Sequence, residues 1–201
     1  MTLIYRNFTY MNNIRGGNMS ENVHIVSINE QKIMKQTVIL TILLSIIFVG
    51  INYYLHPNFD FSILRFLFGI VIFIFVSLLL VVINEILNLL GYRYRCKVKP
   101  ESLSLSIHLE KGLIYSTTSE KIKNGQYQSV FFTSFMVTGV IPLAIAFSLG
   151  NYALLLASAS FIAGGLANFI GMFKLRKFPD EVLVKDVPSE FNVYVYLNEK
   201  K

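Results

Sequence analysis

"ILRFLFGIVIFIFVSLLLVVINEILNLL", residues 63–90, is an almost wholly apolar run that is long enough to cross a membrane as one helix. A hydrocarbon core about 30 Å thick needs about 20 apolar residues of α-helix, so this run is longer than one crossing requires. Its last two turns, which contain Asn84, Glu85 and Asn88, should therefore lie near one face of the membrane. Ionisable groups at such positions are costly and tend to have a function.

Three further apolar runs bring the predicted number of spans to four. They are residues 37–55, 130–149 and 152–173. Composition agrees, because 54% of the 201 residues are hydrophobic and 15% are charged, against roughly 25% charged in soluble domains. Pro142 predicts a kink in the third span, and the small residues of the fourth predict that it packs inside the bundle. We therefore predict an all-α integral membrane protein with four transmembrane helices.

The polar segments around these runs set the domain organisation. Residues 92–128 separate spans 2 and 3, and "SLSLSIHL" within them alternates with period two, which predicts a small cytoplasmic β-hairpin-like insert. Residues 37–173 form the membrane domain, residues 1–36 a cytoplasmic segment, and residues 174–201 a basic cytoplasmic tail with a strand-like "FNVYVYL". For residues 1–18 two interpretations are open: translation starts at Met19 and they are not translated, or they are a disordered tail.

Lysine and arginine are unevenly distributed around the predicted spans. Four lie in the N-terminal segment, seven in the insert and six in the tail, which accounts for all but one of the 18, and the two short turns have none. The positive-inside rule predicts a multi-pass protein of the cell membrane with both termini and the insert in the cytoplasm. Basic residues directly after a span favour contact with a lipid bilayer, so we predict that partner and no nucleic acid.

Asn84, Glu85 and Asn88 have the spacing N-E-x-x-N, which becomes the zinc motif H-E-x-x-H when each Asn is replaced by His. Residues i and i+4 of a helix share one face, so Asn84 and Asn88 project together. An amide oxygen is a weak zinc ligand, because zinc prefers imidazole, thiolate or carboxylate. The single cysteine and the three histidines lie elsewhere in the sequence. These residues alone favour hydrogen bonding between helices over a metal site.

The order of spans, insert and tail resembles the DUF3267 family, small bacterial membrane proteins interpreted as zincin peptidases. The resemblance covers roughly residues 37–197. Besides the N-E-x-x-N turn, it rests on three stretches: "IKNGQYQSVFFTSF" at the start of the third span, "GGLANFIGMF" at the end of the fourth, and "FPDEVLVKDVPSEFNVYVYL" in the tail.

The resemblance implies a role for four positions. Asn84 and Asn88 fall on the family's two histidine ligands, and Asn168 falls on a third ligand, an aspartate. Glu85 falls on the catalytic glutamate. Zinc is expected in the family, but here all three ligand positions are amides, so we expect no metal cofactor and a vestigial general base at Glu85. We expect the three amides to form a hydrogen-bonded cluster with Glu85, and the tail residue Asp186 to be structural.

Three functions remain open from the sequence. The first is a pseudopeptidase: a catalytically inactive zincin-peptidase-like membrane protein that binds a peptide or a membrane-protein partner, for which "SLSLSIHL" is the candidate edge for strand addition. The second is an active membrane metallopeptidase with an atypical metal site, which stoichiometric zinc in the purified protein would support. The third is a four-helix membrane transporter accessory subunit. Charge inside the spans is sparse for an ion path, because only Arg65 and Glu85 lie there.

Overall fold

The computed structural model describes residues 23–57, 62–108, 113–187 and 192–200. The two interpretations of residues 1–18 concern positions outside these ranges. Within these ranges, four helices are long and apolar enough to cross a membrane, which confirms the four predicted spans: Glu30–Leu55, Ile63–Arg95, Asn124–Leu149 and Tyr152–Leu175.

The first two spans are long and nearly regular helices. Helix α1 (Glu30–Leu55) begins at Asn29, whose side-chain oxygen accepts a hydrogen bond from the Lys32 backbone nitrogen at 2.9 Å. Helix α2 (Ile63–Leu90) continues without a break into a π-helical turn, Gly91–Arg95. The predicted insert boundary at residue 92 is therefore several residues too early. Arg93 and Arg95 are still helical, whereas Lys97 and Lys99 follow the end of the helix.

The third span is interrupted in the middle. It consists of α3 (Asn124–Phe135), a π-helical turn (Met136–Val140) and α4 (Ile141–Leu149), so the irregular turn lies directly before Pro142. The helix starts six residues before the predicted residue 130, because the buried Asn124 anchors its polar first turn. The Asn124 amide nitrogen donates to the carbonyl oxygens of Leu175, Phe178 and Pro179.

The fourth span, α5 (Tyr152–Gly164) followed by α6 (Leu166–Leu175), lies inside the bundle as predicted. The buried residues of α5 are mostly small, which lets this helix pack closely against α1, α2 and α4. They are Leu155, Ala157, Ser158, Ala159 and Ala163. At the far end of the bundle the His56 ring donates from Nε2 to the Phe147 carbonyl oxygen at 2.7 Å, which ties the two short turns together.

Two small antiparallel sheets complete the fold. One is the predicted hairpin in the insert, β2 paired with β3, and the other has the order β1-β6-β5-β4. The strands are β1 (Val23–Ser27), β2 (Leu103–His108), β3 (Leu113–Thr118), β4 (Ile122–Lys123), β5 (Val182–Val187) and β6 (Asn192–Lys200). The predicted strand in the tail is confirmed, but the all-α class is too narrow. The N-terminal segment and the tail pair with each other, and this buries their alternating apolar residues.

The hydrophobic core lies where the four-stranded sheet meets the ends of the second, third and fourth spans. Tyr92, Cys96 and Val98 enter it from the chain that leaves α2, and Val184 and Val195 from the sheet. The outer faces of α1 and α2 remain apolar and exposed, as lipid contact requires. The last two turns of α2, which contain N-E-x-x-N, therefore lie where the helix bundle meets the four-stranded sheet.

Candidate functional site

Glu85 is held by the insert rather than by another helix. It is 9% exposed, and its Oε2 accepts hydrogen bonds from the backbone nitrogen of Ser116 at 2.6 Å and from the Ser116 hydroxyl at 2.7 Å. Its Oε1 accepts from the Asn84 side-chain nitrogen at 3.1 Å. Ser116 lies on β3 opposite Leu105, and its N–H points away from β2. The carboxylate therefore closes the outer edge of the hairpin, and both of its oxygens are engaged.

Asn84 links the second span to the third. Its side-chain oxygen lies 3.2 Å from the Thr138 hydroxyl, in the π-helical turn before Pro142. The same hydroxyl lies 2.7 Å from the Ser134 carbonyl oxygen, so its one hydrogen is shared between the two acceptors. Thr138 is 1% exposed, whereas Asn84 is half-buried. Both ends of the half-buried Asn84 amide therefore have a partner.

Asn88 and Tyr92 continue the same helix face, about one and two turns beyond Glu85. Each is 1% exposed. The Asn88 side-chain oxygen and the Tyr92 hydroxyl have no hydrogen-bond partner among the described residues. A buried acceptor without a partner costs about 1–3 kcal/mol, so such groups are uncommon in folded proteins. On this face of α2, Asn84 and Glu85 therefore have hydrogen-bond partners, whereas the Asn88 oxygen and the Tyr92 hydroxyl lack them among the described residues.

Asp186, on β5, brings a second carboxyl group to this face. It accepts a hydrogen bond from the Tyr127 hydroxyl, and Glu85 and Tyr92 both lie within electrostatic range of it. Burial raises the pKa of Asp186 to about 7, against the lowering effect of hydrogen bonds from Tyr127 and the Val187 amide, and the Glu85 charge adds to the rise. Within the described ranges, no ion pair involves Asp186 or Glu85.

Asn168 does not join the other two amides. It is exposed on α6, which packs against β1, α1, α3 and α5. Among the described residues it makes no hydrogen bond with Asn84, Glu85 or Asn88, so the predicted cluster of three amides does not form. The positions facing α2 are taken by Ser116, Thr138 and Asp186 instead. The assignment of Asn84, Asn88 and Asn168 as former ligand positions remains a prediction.

A family comparison covers most of this site. Residues 77–183, more than half of the chain, match the family DUF3267, described as "Putative zincin peptidase". The chain belongs to the DUF3267 family. The resemblance drawn from the sequence is thereby confirmed. No match is found among curated proteins or among solved structures.

The residues that this DUF3267 protein places at the N-E-x-x-N turn do not fit a catalytic zinc ion. The Asn84 oxygen is occupied by Thr138, and amide oxygens are poor zinc ligands. Within the described part of the chain, no group of three or more His, Cys, Asp or Glu residues has the geometry to hold a metal. The absence of a bound zinc cofactor stays a prediction.

Three residues at the site of this DUF3267 protein, Ser116, Thr138 and Asp186, were not predicted from its sequence to belong there. Asp186 carried a signal, because it is the one acidic residue in the apolar strand "VLVKDV", but it was interpreted as structural. Ser116 and Thr138 carried none. Which residue of a strand or of a π-helical turn faces a neighbouring helix depends on register, and register is set by the packing of the whole fold.

Proposed function

We propose that this DUF3267 protein is a catalytically inactive, zincin-peptidase-like membrane protein that acts by binding a peptide or a membrane-protein partner. The observation that carries the proposal is the Glu85 carboxylate. A general base must present a free oxygen to the water or group that it deprotonates. Here Ser116 and Asn84 engage both oxygens of Glu85, which therefore anchors a strand.

The hairpin supports the binding part of the proposal. Among the described strands, β2 pairs with β3 alone, so its other edge is open. Leu105 lies opposite Ser116, whose N–H points outward, so the N–H and C=O of Leu105 also point away from β3. The side chains of Leu105 and Ile107 are 51% and 58% exposed. An extended peptide can add to such an edge through main-chain hydrogen bonds and place its own side chains beside these two.

The charge distribution supports a cytoplasmic position for the hairpin. The insert, the N-terminal segment and the tail contain nearly all the lysine and arginine residues, and the four-stranded sheet joins the last two at the same end of the bundle. The proposed partner is therefore a cytoplasmic peptide or the cytoplasmic segment of a membrane protein.

A peptidase assay tests the inactive part of the proposal. The full chain in detergent is incubated with casein and with zinc added, beside the Glu85→Gln variant. We expect no cleavage that depends on Glu85. Cleavage that Glu85→Gln abolishes, together with stoichiometric bound zinc, would instead support the atypical metallopeptidase.

Photo-crosslinking in cells tests the binding part. A benzoyl-phenylalanine at Ile107 should capture a defined partner, which mass spectrometry identifies. Leu105→Pro removes one outward N–H without breaking the β2–β3 ladder, because that N–H does not point to β3. We expect capture to be lost in Leu105→Pro and kept in the matched control Leu105→Ala. Equal capture by both variants would rule out strand addition at this edge.

A further inference from the structure

A groove with a volume of about 310 Å³ lies between the second and third spans. Its walls are formed by Leu87, Leu90 and Gly91 of the second span and by Val130 and Ser134 of α3. The Ser134 hydroxyl donates to the Val130 carbonyl oxygen at 3.1 Å, so it does not make this wall polar. Leu90 is 46% exposed, so the groove opens at the surface of the bundle. An aliphatic chain can enter such a groove from the side.

Arg95 lines the same groove, together with Tyr94 and Thr133. Its Nη1 donates to the Thr133 hydroxyl oxygen at 3.1 Å and lies 3.4 Å from the Ser129 carbonyl oxygen, so the guanidinium is held against α3. Among the described residues, no hydrogen bond involves its Nε or Nη2, and no carboxylate pairs with it. The Nε–Nη2 edge of a guanidinium matches two oxygens of a phosphate group. The groove therefore combines apolar walls with an edge that can bind an anion.

The groove lies at the level where the hydrocarbon core of a membrane meets the headgroups. About 20 residues of helix cross that core, so a count back from Leu149 ends near residue 130 of the third span. The groups that hold the Arg95 guanidinium, on Ser129 and Thr133, lie within one turn of that position. The distribution of lysine and arginine predicts that this end of the bundle is cytoplasmic, and the cytoplasmic leaflet of a membrane is rich in anionic lipids.

We infer that this groove binds one anionic phospholipid, with an acyl chain along Leu87, Leu90 and Val130 and with the phosphate on Arg95. A lipid of this class has both parts that the groove matches, an apolar chain and an anion. Arg95 is the one charged residue in the lining, so the groove has no carboxylate to pair with the cationic group of a zwitterionic lipid. The inference goes beyond the proposed function, since the groove includes neither Glu85 nor the hairpin.

Lipid retention by the full-length protein tests the inference. The protein is purified in detergent, delipidated, and exposed to mixed micelles that contain phosphatidylglycerol or phosphatidylcholine with identical acyl chains. Native mass spectrometry then counts the lipids that stay bound. We expect one retained phosphatidylglycerol per chain and about fivefold less phosphatidylcholine, the factor that one basic residue contributes at an anionic surface. Excess inorganic phosphate should not displace the lipid, because it lacks the acyl chains.

Two sets of variants separate the headgroup from the chain. Arg95→Gln should remove the preference for phosphatidylglycerol, and Arg95→Lys should weaken it, because an ammonium lacks the forked edge. The matched control Lys99→Gln removes the same charge from an exposed residue outside the lining, and should leave the preference unchanged. Leu90→Trp should fill the groove and lower the retention of both lipids. Leu79→Trp, at an exposed position of α2 outside the lining, should not.

The wild-type comparison is decisive even if a variant does not fold. Equal retention of the two lipids by the folded wild-type protein would overturn the inference. A preference that survives Arg95→Gln would do the same, and so would displacement of the lipid by inorganic phosphate. Capture at Ile107 is measured separately, so this inference and the proposed function can fail independently.

Discussion

Ser116 donates two hydrogen bonds to one oxygen of Glu85, from its backbone nitrogen at 2.6 Å and from its hydroxyl at 2.7 Å. Both residues are buried, and the contact joins β3 of the insert to α2. An outward N–H at the edge of a hairpin usually faces water or another strand. Here a carboxylate from the second span takes that place, so the hairpin is docked on the bundle by the residue to which the family resemblance assigns the catalytic role.

Removing the Ser116 hydroxyl should destabilise the protein measurably. A hydrogen bond to a charged acceptor contributes about 1.5–3 kcal/mol, so we expect Ser116→Ala to lower the free energy of unfolding by about that amount. Glu85→Ala should cost more, because it leaves both Ser116 donors buried without a partner. Thermal unfolding in detergent measures both, with the exposed Ser104→Ala on β2 as the control. Equal melting temperatures for Ser116→Ala and Ser104→Ala would contradict the prediction.

Restoring the histidines should restore zinc binding through Asp186 rather than through position 168. Asn84→His with Asn88→His supplies two imidazoles one turn apart, and Asp186, on β5, lies within electrostatic range of Glu85 between them. We expect the double variant to bind zinc, Asp186→Asn to remove that binding, and Asn168→Asp to add nothing. Zinc content after dialysis is the measurement. If zinc uptake requires Asn168→Asp, position 168 is the third ligand position, as the family resemblance implies.

Close packing of the second and third spans depends on Gly91. A Cβ at this position would lie 2.7 Å from Cγ1 of Val130, which is 2% exposed. We expect Gly91→Ala to destabilise the protein by about 1–3 kcal/mol, the usual cost of overpacking. Combining it with Val130→Ala should cost less than the sum of the two changes, because the second removes the clash.

Gly69 is the matched control for this experiment, because a Cβ there would have no neighbour within 4 Å. Gly69→Ala should leave stability unchanged or raise it slightly, since alanine is favoured over glycine in a helix. Melting temperatures in the same detergent compare the four variants with the wild type. Additive effects of Gly91→Ala and Val130→Ala would show that the two spans are not in contact there.

Asp186 should give the stability of the protein a distinct pH dependence. Its pKa is raised by burial to about 7, so the folded state holds a proton that the unfolded chain releases above its ordinary pKa of 3.8. The stability contributed by this proton is fully present below pH 3.8 and is lost as pH rises to about 7. Asp186→Asn is neutral throughout and lacks this loss.

The comparison of the two proteins isolates the effect from other carboxylates. Melting temperatures are measured in EDTA from about pH 4.5 to about pH 8. We expect the variant to gain stability relative to the wild type as pH rises through that window, with little further change above it. Parallel curves would show that the Asp186 carboxyl is ionised in the folded state throughout.

The sequence predicted the parts of the fold that depend on local pattern. The length of the apolar runs predicted the four spans, and period-two alternation predicted the hairpin and the tail strand. It missed β1, β4 and the pairing of the termini, because a short strand is stable only beside its partner, and the partner is distant in the chain. The same limit applied at the site. The N-E-x-x-N spacing was visible, but Ser116, Thr138 and Asp186 reach it through tertiary contacts that no local pattern encodes.

The pairing of β1 with β6 has a consequence for how the protein is made. Residues 23–27 are synthesised before the first span, whereas their partner, residues 192–196, follows the fourth span in the chain. The four-stranded sheet therefore cannot close until all four spans have been synthesised. A nascent chain that stalls before residue 192 would present an unpaired strand at the membrane surface, a ready signal for quality control to recognise.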